Sequence, residues 1–331
     1  MKRIKYLLPF VLLVFVVLFS CSDDDDGIIV VPPRERDVES IAAQENIEEF
    51  LETHFYNYEE FENPPSGFNY QIVFDTITGE NSLKTPLMEQ VDFKFVEDIF
   101  DEDVTYKLYY LKQNQGEGDE ITYPDIVSLS YEGRFMTDLT VFDSSISPIR
   151  FDLTQVIDGL QSALVEFNGA TGFSDNADGT LTFYDYGIGA VFVPSGLGYY
   201  NEPPPTIPFY SQLIFTFQPY LIEKGDQDGD GILTIFEDLD GNGLELDDDI
   251  DGNGIPNFAD PDDDGDGRLT KNENENNEYV INIGDPDPPL GVNEVEMYRE
   301  TDDETGEITI YTVVFTDANN DGVPDYLDDE L

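Results

Sequence analysis

Between Asp226 and Glu273 the chain spaces its acids at intervals that suit a hard cation. The segment "DQDGDGILTIFE" sets oxygen ligands at Asp226, Asp228 and Asp230, a glycine at Gly231, the backbone carbonyl of Ile232, and a closing carboxylate at Glu237. This is a twelve-residue calcium-loop pattern, in which the glycine permits a sharp turn and the last acid can bind through both oxygens. "DDDGDGRLTKNE" repeats it with Asp262, Asp264, Asp266, Gly267, the carbonyl of Arg268, and Glu273. Weaker copies begin at Asp238 (with Asp240 and Asn242), at Asp249 (with Asp251, Asn253 and Asp260), and at Asp317 (with Asn319, Asp321 and Asp328). Residues 226–273 hold 17 acids against two bases, so these carboxylates repel one another until divalent ions neutralise them. Calcium is expected over magnesium, which resists dehydration and rarely uses all-protein loops. A second acid stands apart: Asp143 in "VFDSS" follows a Phe in an apolar run, as a catalyst, a ligand or a turn residue.

The first four loops begin at 226, 238, 249 and 262. That stride leaves no room for helices flanking each loop, and Pro256 and Pro324 would break any helix leaving theirs. The segment resembles thrombospondin type 3 repeats, which wrap calcium ions with little other core. Between the fourth loop and the last, "VEMYRETDDETGEITIYTVVF" alternates around a polar turn and predicts a β-hairpin.

The rest of the chain has ordinary globular content. Its 331 residues, 40% hydrophobic and 13% aromatic, suffice for at least one full core and about two domains. A formal net charge of −57 argues against nucleic acid and anionic membrane surfaces as partners. Lys2, Arg3 and Lys5 precede an apolar run, Tyr6 to Phe19, that is short for a bilayer and reads as a signal sequence. The following "LFSC" resembles the lipobox of bacterial lipoproteins, which implies lipidation at Cys21. "SDDDDG" after it resembles an acidic export signal to the cell surface, or is a solvated spacer. With one Cys in the chain, an intramolecular disulfide is impossible.

From Asp37 to Tyr58, Ala43, Ile47, Phe50, Leu51, His54, Phe55 and Tyr58 recur at helical spacing and predict a one-faced helix that needs a packing partner. His54 is the sole histidine and reads as a core residue, since no Cys or second His exists to share a transition metal. "NPPSG" at Asn63–Gly67 ends the helical region, and "YQIVF" and "FKFVEDIF" suggest short strands or an irregular collar. Strand-like runs follow in "VTYKLYYLKQ", "DIVSLSYEGRF" and "LIFTFQPY", interrupted by one helix in "VIDGLQSALVEF". An antiparallel sheet wrapped over one short helix buries both, so the fold class is α+β.

The order YEG, VFDSS, VIDGL, "VFVPSGLGYY", then "IP" and "LIFTF" resembles the FKBP family of peptidyl-prolyl cis-trans isomerases, over roughly Val104 to Ile222, about a third of the chain. The resemblance implies a shallow aromatic pocket for a proline ring, with no cofactor for catalysis. Its walls would be Tyr131, Phe142, Phe151, Val156, Ile157, Tyr199, Ile207 and Phe215, with Leu160 as the floor. The Ile157 N–H and the Tyr199 hydroxyl would donate to substrate carbonyls, and Asp143 would bond Tyr131 at the rim. Two departures shrink the box: Leu160 replaces the usual floor Trp, and Ile149 the first aromatic of an F-x-F pair. An extra segment, Thr171 to Tyr186, forms either a hairpin flap near the pocket or a surface loop.

The expected organisation is a lipoprotein signal (1–21), an acidic tether (22–37), an N-terminal helical and collar region (38–103), an FKBP-like domain (104–222), and a calcium-repeat region with a hairpin insert (223–331). The expected function is prolyl isomerisation of proline-containing clients among exported or surface proteins, from a lipid anchor in the outer membrane on its periplasmic or cell-surface side. The alternative is a non-catalytic proline-binding or adhesion module of the envelope, stabilised by calcium.

Overall fold

A computed structural model describes residues 32–302 and 305–330. The signal sequence, Cys21 and the run Ser22–Gly27 lie outside the described residues. Among the described residues, no helix is long and apolar enough to cross a membrane.

In chain order the helices are α1 (Arg36–Thr53), α2 (Tyr58–Glu62) and α3 (Asp158–Leu164). The strands are β1 (His54–Tyr56), β2 (Phe74–Thr76), β3 (Asp92–Asp98), β4 (Asp101–Asn114), β5 (Ile126–Phe135), β6 (Val141–Asp152), β7 (Gly172–Asp175), β8 (Leu181–Tyr184), β9 (Ile188–Val193), β10 (Leu213–Glu223), β11 (Asn274–Asn282), β12 (Glu294–Asp302) and β13 (Glu307–Phe315). The fold is α+β, with antiparallel sheets and few helices.

Six strands form the central sheet in the order β3-β4-β9-β10-β5-β6, every pair antiparallel. Alternation along the strands sends side chains to two covered faces. Leu108, Tyr110, Val191, Val193, Leu213, Phe215 and Phe217 meet Leu160, Ala163 and Leu164 of α3 on one face. Tyr109, Leu111, Ala190, Phe192 and Ile214 meet Ile47, Phe50 and Leu51 of α1 on the other. Strand β9 is buried at every position because it lies under both helices.

The N-terminal region departs from expectation in two ways. The helix ends at Thr53 rather than Tyr58: His54 is extended (φ −120, ψ 157) and opens β1, which pairs with β2. His54 stacks on Phe50 at 3.9 Å and its ring nitrogen meets the Phe50 carbonyl, so it is the core histidine its position suggested. Second, β3 is an edge of the central sheet and β4 begins at Asp101, so a boundary at 104 cuts a strand. The collar thus supplies the edge strand β3 as well as the cover of the sheet's second face.

The 171–186 segment forms the hairpin β7-β8. It does not flap over the proline-pocket face. Phe183 stacks at 4.4 Å on Tyr220, which shares the second face with Gln218 and Ser130. The C-terminal hairpin gains a third strand: β11 pairs with β13 opposite β12. Its sequence, "NENNEYVIN", is too polar to signal a strand by apolar alternation.

Candidate active site and calcium loops

The sheet, the start of α3 and the turn after β9 bring the expected pocket residues to one rim. Tyr131 on β5 and Phe151 on β6 meet edge to face at 5.0 Å, while Phe142 packs on Phe215 at 5.7 Å and on Phe135 at 5.1 Å. Gly133 is required there, because a Cβ on it would lie 2.6 Å from the Phe142 ring. Leu160, Ile207 and Phe215 are buried in the core beneath, and Tyr131, Phe142, Phe151, Val156, Ile157 and Tyr199 are half-buried against it. A half-buried rim over a dry base is the arrangement that can desolvate part of a bound chain.

Two donors at this rim have no partner among the described residues: the Ile157 N–H, at the N-cap of α3, and the Tyr199 hydroxyl. The Tyr131 hydroxyl is committed, donating to Asp143 Oδ2 at 2.6 Å. Burial first, and then the Asp143 carboxylate, push both Tyr131 and Tyr199 above the usual phenol range, so both keep their protons. Helix α1 supports the turn that carries Tyr199. Ser195 Oγ donates to the buried Glu39 at 3.0 Å, and Arg36 lies 4.3 Å over the Tyr200 ring. A cleft of about 420 Å³ opens mainly on the opposite face, between β5, β10 and residues 69–72, and Tyr131 borders it as well as the rim.

Downstream, four loops share one geometry. Each has left-handed backbone at its fourth and sixth positions: Gly229 and Gly231, Gly252 and Gly254, Gly265 and Gly267, and Asn320 and Gly322. Each then makes a 3-10 turn at its ninth to eleventh positions: Thr234–Phe236, Asn257–Ala259, Thr270–Asn272 and Asp325–Leu327. The ninth N–H donates to the carbonyl just before the loop in all four: Thr234 to Gly225, Asn257 to Asp248, Thr270 to Pro261, Asp325 to Thr316, at 2.7–3.0 Å. The loop beginning at Asp238 shares the left-handed glycines, Gly241 and Gly243, but has no such turn.

Among the described residues, three groups of carboxylates converge with their oxygens within 4.8 Å of one another: Asp228, Asp230, Glu237 and Asp263; Asp238, Asp240 and Asp248; and Asp262, Asp264 and Asp266. Asp263 and Asp248 were not expected. Asp226 instead caps the Gly229 N–H, and Arg268 reaches 3.1 Å from Glu273. In the loops from Asp249 and Asp317, Asn253 bridges Asp251 and Asp260, and Asn319 bridges Asp321 and Asp328. Burial, then neighbouring carboxylates, push Asp228 up to about 7, Glu237 to about 10, Asp263 to about 9 and Glu273 to about 7. Buried acids so placed need a cation or a proton. An all-oxygen set fits calcium.

The loops touch the pocket's supports. Gln227 donates to the Pro124 carbonyl (2.9 Å) and to Asp152 (3.2 Å), the residue that caps the turn leading to Val156. Tyr123 donates to Asp238 at 2.5 Å, and Gln161 of α3 donates to the Tyr123 carbonyl at 3.0 Å.

A family model described as BamM C-terminal matches residues 227–284, which take in β11 and all of the first four loops but Asp226. Over 98 residues the chain is 36% identical to a probable FKBP-type peptidyl-prolyl cis-trans isomerase FkpA of Neisseria meningitidis serogroup B, covering 29% of this chain. That match spans 30% of the relative's own length. Among solved structures, a peptidyl-prolyl cis-trans isomerase from Pseudomonas syringae pv. tomato aligns at 18% identity and a TM-score of 0.32, covering 56% of this chain and 96% of that one. FkpA from Escherichia coli aligns at 18% identity and a TM-score of 0.31, covering 57% and 64%. Over those 98 residues the chain is similar to an FKBP-type peptidyl-prolyl cis-trans isomerase.

Proposed function

We propose that the chain is a peptidyl-prolyl cis-trans isomerase acting on exported or cell-surface proteins, with a C-terminal region held together by calcium. The observation that carries the reading is the shared rim of Tyr131, Phe142, Phe151 and Tyr199 with two unpartnered donors, in a chain 36% identical over 98 residues to a named isomerase. Rotation about an X–Pro bond faces ~18–20 kcal/mol because the amide is conjugated. Conjugation separates charge, so moving the amide from water to an apolar rim disfavours its planar form relative to the twisted one. Acceleration by about 10⁴ needs roughly 5.5 kcal/mol. Desolvation against the aromatic rings, together with hydrogen bonds from Ile157 and Tyr199 that tighten on the twisted amide, is the source. Asp143 positions Tyr131 and is no proton carrier in this scheme.

Bound calcium would neutralise the loop carboxylates. Asp228, Asp230, Glu237, Asp262, Asp264, Asp266, Asp238 and Asp240 are the residues to hold it. Placement in the outer membrane rests on the lipobox-like "LFSC" and is part of the same proposal. The test is refolding of a proline-limited substrate, comparing wild type with Asp143→Ala and Tyr199→Ala. Slower turnover in both is expected, and equal rates would remove the enzyme reading. Binding of proline peptides without acceleration would point to the non-catalytic module.

A further inference from the structure

The fourth loop carries an acid that its own ion does not use. In a loop of this kind the first, third and fifth side chains turn inward and the second turns outward. The second residues of the five loops are Gln227, Leu239, Ile250, Asp263 and Ala318. Gln227 reaches out to Pro124 and Asp152, and Leu239 and Ile250 are exposed. Asp263 alone among these is acidic, and it is 2% exposed.

Its carboxylate lies with Asp228, Asp230 and Glu237 of the first loop, the four supplying oxygens all within 4.8 Å of one another. Both oxygens of Asp263 and both of Glu237, itself 1% exposed, have no partner of good hydrogen-bond geometry among the described residues. Oxygens bound to one calcium at 2.3–2.6 Å can be about 4.6–5.2 Å apart at most, so the spacing suits ligands of a single ion. Tyr326, 4% exposed and stacked on Phe315 at 5.4 Å, lies close to this group and helps to exclude water.

We propose that Asp263 is the fourth protein ligand of the ion held by Asp228, Asp230 and Glu237, so that one calcium joins the first loop to the fourth. The inference rests on the reading of the loops as calcium sites. It adds that the repeats are cross-linked by the ion rather than strung one ion per loop. Residues 226–263 thereby become a closed ring beside the isomerase domain, and the outward second position, unlike the inward ones, sets how loops join.

The test uses the full chain, stripped with chelator and titrated with calcium chloride by calorimetry. The comparison is wild type, Asp263→Asn, Asp228→Asn, the double variant, and Asp266→Asn as a control in the fourth loop's own site. Asp263→Asn should weaken one site at least tenfold and leave the others alone. The double variant should bind no more than about threefold worse than Asp228→Asn, because both act on one ion. Thermal melts give a second readout: saturating calcium should raise the melting temperature of wild type by more than that of Asp263→Asn. If wild type binds no calcium, the loop reading fails and takes this proposal with it. If wild type binds and Asp263→Asn titrates identically, or gains as much melting temperature from calcium as wild type does, the shared ion alone is overturned. Should Asp263→Asn not fold, Asp263→Glu, which keeps the charge but extends the side chain by one carbon, takes its place. The same loss of affinity is expected of it, and an unchanged titration refutes the proposal.

Discussion

Tyr199→Phe separates the chemistry of the rim from its packing. The Tyr199 ring is half-buried against the core that also holds Tyr131 and Phe151, and its hydroxyl has no partner among the described residues. Phenylalanine keeps that packing and deletes one donor. Stability should therefore stay within about 0.5 kcal/mol of wild type. If the hydroxyl donates to the substrate carbonyl in the transition state, its loss removes a net ~0.5–1.5 kcal/mol. At 1.36 kcal/mol per decade this is about a 2- to 13-fold fall in kcat/KM. Burial and the Asp143 charge both push the Tyr199 phenol up, so it remains a donor across the neutral range and the ratio of variant to wild type should not change between about pH 6 and 9. The assay is proline-limited refolding in saturating calcium, alongside a thermal melt. Unchanged kcat/KM at unchanged stability would refute the role given to this hydroxyl. A fall beyond a hundredfold would refute the hydrogen-bond account too, because a single neutral donor cannot supply it.

Three further outcomes are expected. Chelation should lower the melting temperature and speed hydrogen exchange at residues 123–125 and 152–161, which Gln227 and Tyr123 tie to the loops; a site occupied at a hundred times its Kd contributes about 2.7 kcal/mol, and an unchanged melt in chelator counts against calcium. Gly133→Ala should destabilise by about 1–3 kcal/mol, since its Cβ would meet the Phe142 ring at 2.6 Å; a chemical denaturation midpoint identical to wild type would contradict that packing. Burial holds His54 below the usual imidazole range, so the unfolded chain takes up a proton at higher pH than the folded one. Stability linked to His54 is thus full above about pH 6.5 and is lost as pH falls through its unfolded value toward the folded one. The stability difference between wild type and His54→Phe should shift over that window, and parallel pH curves would refute it.

The pocket and the loops were readable at different depths. Local spacing exposed the acids of the first and fourth loops, because inward ligands must recur at alternate positions around a glycine turn. It missed Asp263, whose partners lie in the first loop, and Asp248, eleventh in the loop that begins at Asp238; only the run of three acids in "PDDDGDG" hinted that one was surplus. The long apolar strands β4, β5 and β10 were legible from alternation, while the helix overran at His54–Tyr58. Helical and extended spacing agree over so few residues, and pairing with β2 decided between them.

By itself the amino-acid order determined what could be written one element at a time: strand runs, the amphipathic α1, the motif order that resembles an isomerase, and the turn chemistry of each loop. Only the tertiary structure decided which faces meet. It set α1 against the back of the sheet, sent the 171–186 hairpin to that same back face, and brought Asp263 to Glu237 across 26 residues. The physical reason is that periodicity says which side of an element is buried or charged, whereas the partner of that side is chosen by packing and electrostatics between segments far apart in the chain.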